Sequence, residues 1–167
     1  MTSPRIEADV LAEAIKCAPK DGLFVEFGVA TGTTLRVLAA NRPAVGFDSF
    51  EGLPEAWNGL EKGAFAQDPP DVPGAHLVIG RYGPETFKTK VPCALLHVDC
   101  DLYASACVAL AWFKENRVPN AIVVFDEFFG YDGCEKHEQQ AWAESGLIGQ
   151  ELFRSSPIQQ KIAFRVP

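Results

Sequence analysis

Paired cysteines are missing from this chain. Its five cysteines, at positions 17, 93, 100, 107 and 134, are odd in number, and no Cys-x-x-Cys occurs. Neither a zinc knuckle nor a thioredoxin-like motif can be drawn from them. They read as reduced thiols packed as small hydrophobes, which is the usage of a cytoplasmic protein. Basic residues are also in deficit. Fifteen Lys and Arg face 22 Asp and Glu, a formal charge of −7, and that balance repels phosphate backbones. No run approaches the roughly 20 apolar residues of a membrane span, and no signal-like apolar stretch stands at the N-terminus. The expectation is a cytoplasmic protein with neither nucleic acid nor membrane as partner.

What is present suits one globular domain over residues 1–167, with 47% apolar and 22% charged residues. Ser3 and Pro4 read as the start of a helix through residue 20, with Ile6, Val10, Leu11, Ala14 and Ile15 on one stripe. Strand-like runs follow at Leu23–Phe27, Ala44–Phe47, Leu77–Ile79, Ala94–Val98 and Ala121–Phe125. Helical stretches at Thr33–Ala40, Tyr103–Glu115 and Glu135–Glu144 alternate with them. Glu151–Arg154 and Lys161–Val166 read as an antiparallel hairpin closing one sheet edge. This order predicts an α/β fold: a doubly wound, mainly parallel, Rossmann-like sheet with a C-terminal hairpin. Residues 51–74 break the pattern. Eight of these 24 are Gly or Pro, yet Trp57 and Phe65 lie among them, so a partly ordered flap over a substrate is expected.

In such a sheet the ligand lies beyond the carboxyl ends of the strands. Acids stand at those ends: Glu26, Asp48, Asp99 with Asp101, and Asp126 with Glu127. Glu26-Phe-Gly28-Val-Ala-Thr-Gly32 is a glycine turn from strand to helix, but Ala30 and Thr33 depart from the dinucleotide pattern Gly-x-Gly-x-x-Gly. An acid before the first glycine suits an ammonium or hydroxyls better than a pyrophosphate. Asp48 stands where a carboxylate accepts ribose hydroxyls.

Four segments carry a resemblance. Val25-Glu-Phe-Gly-Val-Ala-Thr-Gly32, Gly46-Phe-Asp-Ser-Phe-Glu-Gly-Leu-Pro-Glu55, Leu95-Leu-His-Val-Asp-Cys-Asp-Leu-Tyr103 and Val124-Phe-Asp-Glu-Phe128 occur in that order. They resemble the macrocin O-methyltransferase family, class I S-adenosylmethionine-dependent enzymes that methylate sugar hydroxyls of macrolides and related natural products. The resemblance implies S-adenosylmethionine as cofactor, on Glu26, Gly28, Ala30 and Gly32 of the loop and on Asp48, Ser49 and Phe50. It also implies a magnesium ion on Asp99, Asp126 and Glu127, with Asp101 behind them and a small-molecule hydroxyl as acceptor.

Chemistry agrees with that set. A hard divalent cation takes carboxylate oxygens, and a hydroxyl bound to it loses its proton more easily. Asp99 and His137 are the candidate catalytic residues, His137 because an imidazole titrates near neutrality. The catechol methyltransferases, which are similar, carry a lysine base three residues after the fourth-strand acid, where this chain has Leu102. The chain is also shorter than the antibiotic-sugar enzymes. A phenol or catechol methyltransferase, and a non-catalytic cofactor- or dinucleotide-binding module, stay open as alternatives. Homo-oligomerisation stays open too.

Overall fold

Runs of β-branched and aromatic residues closed by glycine, proline or aspartate form the strands of one sheet. The computed structural model describes the backbone of Arg5–Ile6 and residues 9–167. In chain order the elements are β1 (Arg5–Ile6), α1 (Val10–Cys17), β2 (Leu23–Phe27), α2 (Thr33–Asn41), β3 (Ala44–Asp48) and β4 (Ala75–Ile79). Then come β5 (Cys93–Val98), α3 (Tyr103–Asn116), β6 (Arg117–Phe125), α4 (Glu138–Glu144), β7 (Gln150–Arg154) and β8 (Ile162–Val166). The sheet order is β1-β7-β8-β6-β5-β2-β3-β4. From β6 to β4 all neighbours are parallel, while β8 runs antiparallel to both β6 and β7. The predicted doubly wound architecture with a C-terminal hairpin is the one the chain adopts.

Alternation along the strands gives the sheet two apolar faces. Val25, Phe27, Leu96, Val98, Val123 and Phe125 pack with Trp112 and Phe113 of α3. Phe24, Leu95, Ile122 and Val124 pack on the other face with Val10 and Ala14 of α1 and Leu35 and Leu38 of α2. β5 is buried along its whole length, as a central strand covered on both sides must be. The chain winds from β2 through β3 to β4 on one side, then returns to place β5 and β6 on the other. The switch of direction therefore lies between β2 and β5, where a ligand crevice is expected.

Several sequence expectations are corrected. The N-terminal helix begins at Val10, capped by Asp9, whose carboxylate accepts the Ala12 N–H at 2.9 Å. Ser3 and Pro4 lie outside the described residues. Ile6 is not on that helix: Arg5 and Ile6 pair in parallel with Phe153 and Arg154. The open side of β7 offers two residues their backbone partners, so β1, and not the hairpin, forms that sheet edge. The hairpin is instead built into the sheet, with β8 between β6 and β7. The predicted helix from Glu135 splits into a 3-10 turn, Cys134–Lys136, and α4, with His137 between them at φ −116° and ψ −113°.

Residues 51–74 form an ordered excursion between β3 and β4. Trp57 and Leu60 exchange backbone hydrogen bonds, and Leu53 is bonded to both Gly63 and Ala64. Leu53 and Trp57 bury against Leu102, with Ala64 and Tyr131 beside them. Their apolar side chains close a small core of their own and hold the segment over the strand ends.

Candidate functional site

A cavity of about 560 Å³ opens at the carboxyl ends of β2, β3, β5 and β6, within the roughly 300–1,000 Å³ of small-molecule sites. Gly28, Ala30, Asp48 and Ser49 line one part of it. Asp99, Asp101, Asp126 and Glu127 line another, and Leu53, Trp57 and Phe65 of the excursion contribute apolar surface. Of the residues singled out in the sequence, Glu26, Gly32, Phe50 and His137 do not line it.

Each of these four has a structural reason. Glu26 is fully buried beneath the loop. Gly32 begins α2 at φ +75°, and a Cβ there would come within 2.9 Å of Val72 and 3.0 Å of Pro70. Phe50 turns its ring into the core beside Val29, Leu35 and Val72. His137 stacks edge-on to Trp57 at 6.5 Å, with its Nδ1 buried and unpartnered.

Asp48 organises the glycine turn. Its Oδ2 accepts the Val29 and Ala30 N–H groups at 2.8 and 2.9 Å, and its Oδ1 accepts the Phe50 N–H at 2.8 Å. Two lone pairs per oxygen leave room for one further hydrogen bond, on Oδ1. The ribose-binding carboxylate of the sequence reading is thus first a clasp for the loop. Ala30, Phe50 and Asp101 all hold positive φ, at 43°, 57° and 62°. Non-glycine residues adopt this region only where the surroundings impose it, and such positions gather at ligand sites.

Gly28 joins the two parts of the site. At φ +93° its absent Cβ would lie 1.6 Å from the Asp99 carbonyl oxygen, so only glycine allows the ends of β2 and β5 this close.

Beneath the cavity runs a line of titratable groups that sequence reasoning missed. His97 Nδ1 meets Glu26 Oε1 at 2.9 Å, and His97 Nε2 meets Asp126 Oδ1 at 3.2 Å. Lys161 Nζ closes the line on the same Asp126 oxygen. Burial raises the Glu26 pKa, partly offset by His97, and burial lowers that of Lys161. A neutral imidazole carries one N–H, so two carboxylate partners require a second proton in the chain.

A signal for this line existed. Glu26 and His97 are register partners in parallel strands, and Phe125 pairs with Ile162, so Asp126 and Lys161 are the next residues across. It became legible only once β8 was placed beside β6.

The carboxylates of the predicted metal set separate. Oxygens of Asp99, Asp101 and Glu127 lie within 4.8 Å of one another. Asp126 is drawn instead to Lys161 and His97, whose opposite charge and N–H hold it aside. Asp101, read as lying behind the cluster, is a member of it. Glu26, His97 and Asp99 form a second group within the same limit, but both His97 nitrogens are engaged with carboxylates.

The first group has hard oxygens alone, and Glu127 Oε2 is buried with no hydrogen-bond partner. That is the donor set of a magnesium-like cation. Burial raises Asp99 and Asp101 to about 6. Burial, reinforced by Asp99, Asp101 and Glu138, pushes Glu127 to about 10. The folded protein therefore binds more protons than the unfolded chain from the ordinary carboxylate range upward. In chelator, its stability should fall as pH rises from about 4 through those values. Melting temperatures between pH 5 and pH 8 check this: a rise across that range would contradict the burial of the cluster. Among the described residues no helix is long and apolar enough to cross a membrane.

No protein-family model matches the chain, and no curated protein matches it in sequence. Solved structures do resemble it. The calicheamicin methyltransferase CalS11 is 24% identical over 93% of this chain and 75% of its own, with a TM-score of 0.65. A second structure of it, described as TDP-rhamnose 3'-O-methyltransferase, gives 22% identity over the same shares and a TM-score of 0.60. The O-methyltransferase NovP is 18% identical over 93% and 78%, with a TM-score of 0.64. Fibrillarin of Aeropyrum pernix, with natively bound S-adenosyl-L-methionine, is 12% identical over 89% and 67%, with a TM-score of 0.55. What these proteins share with the chain is the fold. Its sheet is Rossmann-like, with an antiparallel C-terminal pair.

Proposed function

We propose that the chain is an S-adenosylmethionine-dependent O-methyltransferase acting on a hydroxyl of a small molecule, with a sugar of a natural product as the preferred acceptor class. The observation that carries this reading is the pairing, in one cavity, of a loop clasped by Asp48 with the three-carboxylate cluster of Asp99, Asp101 and Glu127. CalS11 and NovP, described as O-methyltransferases, and the sugar in one CalS11 description support the acceptor class.

S-adenosylmethionine supplies an electrophilic methyl group when bound, and a divalent cation makes the acceptor hydroxyl more acidic and fixes its position. Gly28, Ala30, Asp48 and Ser49 are the residues to hold the cofactor. Asp99, Asp101 and Glu127 are those to hold magnesium. Trp57 and Leu53 exclude water from the strand ends. The cavity carboxylates, Asp99 and Asp126 among them, are the candidates to take the acceptor proton. His137, outside the cavity wall, is not. Lys161 and His97 hold Asp126 in one orientation for that role.

Calorimetric titration with S-adenosylhomocysteine, followed by assays on sugar and catechol acceptors with and without chelator, tests the reading. The expected result is cofactor binding in either condition, and turnover that chelator abolishes and magnesium restores. Glu127→Gln should cost at least about a hundredfold in turnover with cofactor affinity nearly unchanged, as removal of a cation's electrostatic role does. Failure to bind S-adenosylhomocysteine at all would refute the function, and full turnover in chelator would refute the metal.

A further inference from the structure

α4 begins with a residue that its surroundings do not explain. The buried side of this short helix consists of Glu138 and Ala141. Glu138 is fully buried, and neither carboxylate oxygen has a hydrogen-bond partner. The backbone N–H of Glu127 acts on it electrostatically without forming a bond of good geometry. Buried polar side chains are ordinarily satisfied, and an acid left bare marks something that completes it.

Its charge neighbours say what that is. Asp99 and Asp101 both act on Glu138, and Glu138 in turn acts on Glu127 and on the Cys100 thiol between the two aspartates. The acid is therefore a fully buried neighbour of the cluster of Asp99, Asp101 and Glu127. Four carboxyl groups this close cannot all ionise together unless a cation offsets their charge. The nearby His97 has both nitrogens engaged with other carboxylates, and Lys161 is engaged with Asp126.

We infer that Glu138 is the fourth carboxylate of a divalent-cation site, outside the direct ligand group of Asp99, Asp101 and Glu127. The inference rests on the reading of those three as cation ligands. Magnesium and manganese keep several waters when few side chains bind them, and such waters supply the O–H donors that Glu138 lacks. Outer groups of this kind hold the ligand sphere in place, and losing one typically costs 10–100-fold in metal affinity.

The test is titration of the full chain with Mn²⁺ alone, read by calorimetry and by the electron paramagnetic resonance of the free ion. It compares wild type with Glu138→Gln, which keeps shape and removes charge. Wild type should bind one Mn²⁺, and the variant should bind it at least about tenfold more weakly. In chelator the variant should melt no lower than wild type, because the carboxyl makes no hydrogen bond there for the substitution to remove.

Equal Mn²⁺ affinity in the two proteins would overturn the inference and leave the proposed function standing. A variant that also melts lower in chelator would make Glu138 a packing residue and overturn it as well. Absence of Mn²⁺ binding to wild type would overturn both the inference and the metal reading. Should Glu138→Gln fail to fold, Glu138→Met, matched to the apolar side of α4, takes its place with the same expectations.

Discussion

Replacing Asp48 by alanine should weaken S-adenosylhomocysteine binding roughly a hundredfold and loosen the turn from Gly28 to Gly32. The carboxylate holds three backbone N–H groups, from Val29, Ala30 and Phe50. Hydrogen bonds to a charged group contribute about 1.5–3 kcal/mol each, and part of that energy is spent holding Ala30 and Phe50 at positive φ. Without it these residues relax toward ordinary backbone angles and the cradle is lost together with any ligand contact. Calorimetry measures the affinity, and hydrogen exchange at residues 29, 30 and 50 reports the loosening. An unchanged dissociation constant with faster exchange would confine Asp48 to the loop. An unchanged constant with unchanged exchange would remove it from the site.

His97→Ala should be among the most destabilising substitutions in the chain. It leaves Glu26 buried with both oxygens bare, since Oε2 already lacks a partner, and it frees Asp126 from its imidazole. Breaking a buried, hydrogen-bonded pair from one side costs about 3–5 kcal/mol. At about 2–4 °C per kcal/mol for a chain of this size, the melting temperature should drop by roughly 6–20 °C. A Glu26→Met, His97→Leu double variant should recover most of that loss, because well-packed apolar residues replace a buried pair at little cost. Thermal melts of the single and double variants decide it. A single variant that melts within a degree or two of wild type would mean the pair carries no structural weight.

Much of the sheet was legible because local pattern and tertiary role agree there. Leu23–Phe27, Ala44–Phe47 and Ala94–Val98 are apolar runs with punctuated ends, and each became a strand. Arg5–Ile6 gave no such signal, for two residues paired to an edge need no pattern of their own. The site divides along the same line. Asp48 and the strand-end acids were legible because strand ends are visible in sequence. Lys161 and Glu138 were not. One reaches the site through a sheet neighbour 35 residues away in the chain, and the other through the packing of α4. The choice between Asp101 and Asp126 in the cluster likewise turned on Lys161, whose ammonium draws Asp126 aside.

The contact between Gly28 and the Asp99 carbonyl has a consequence for how this site can vary. With peptide resting on peptide, no rotamer sets the spacing from the loop to the carboxylate cluster; covalent geometry and strand register do. Side-chain changes around the cavity can alter which acceptor fits, while that internal ruler keeps its length. Changing it would take a shift of one strand against the other, and such a shift would move every residue of β2 to the wrong partner in β5.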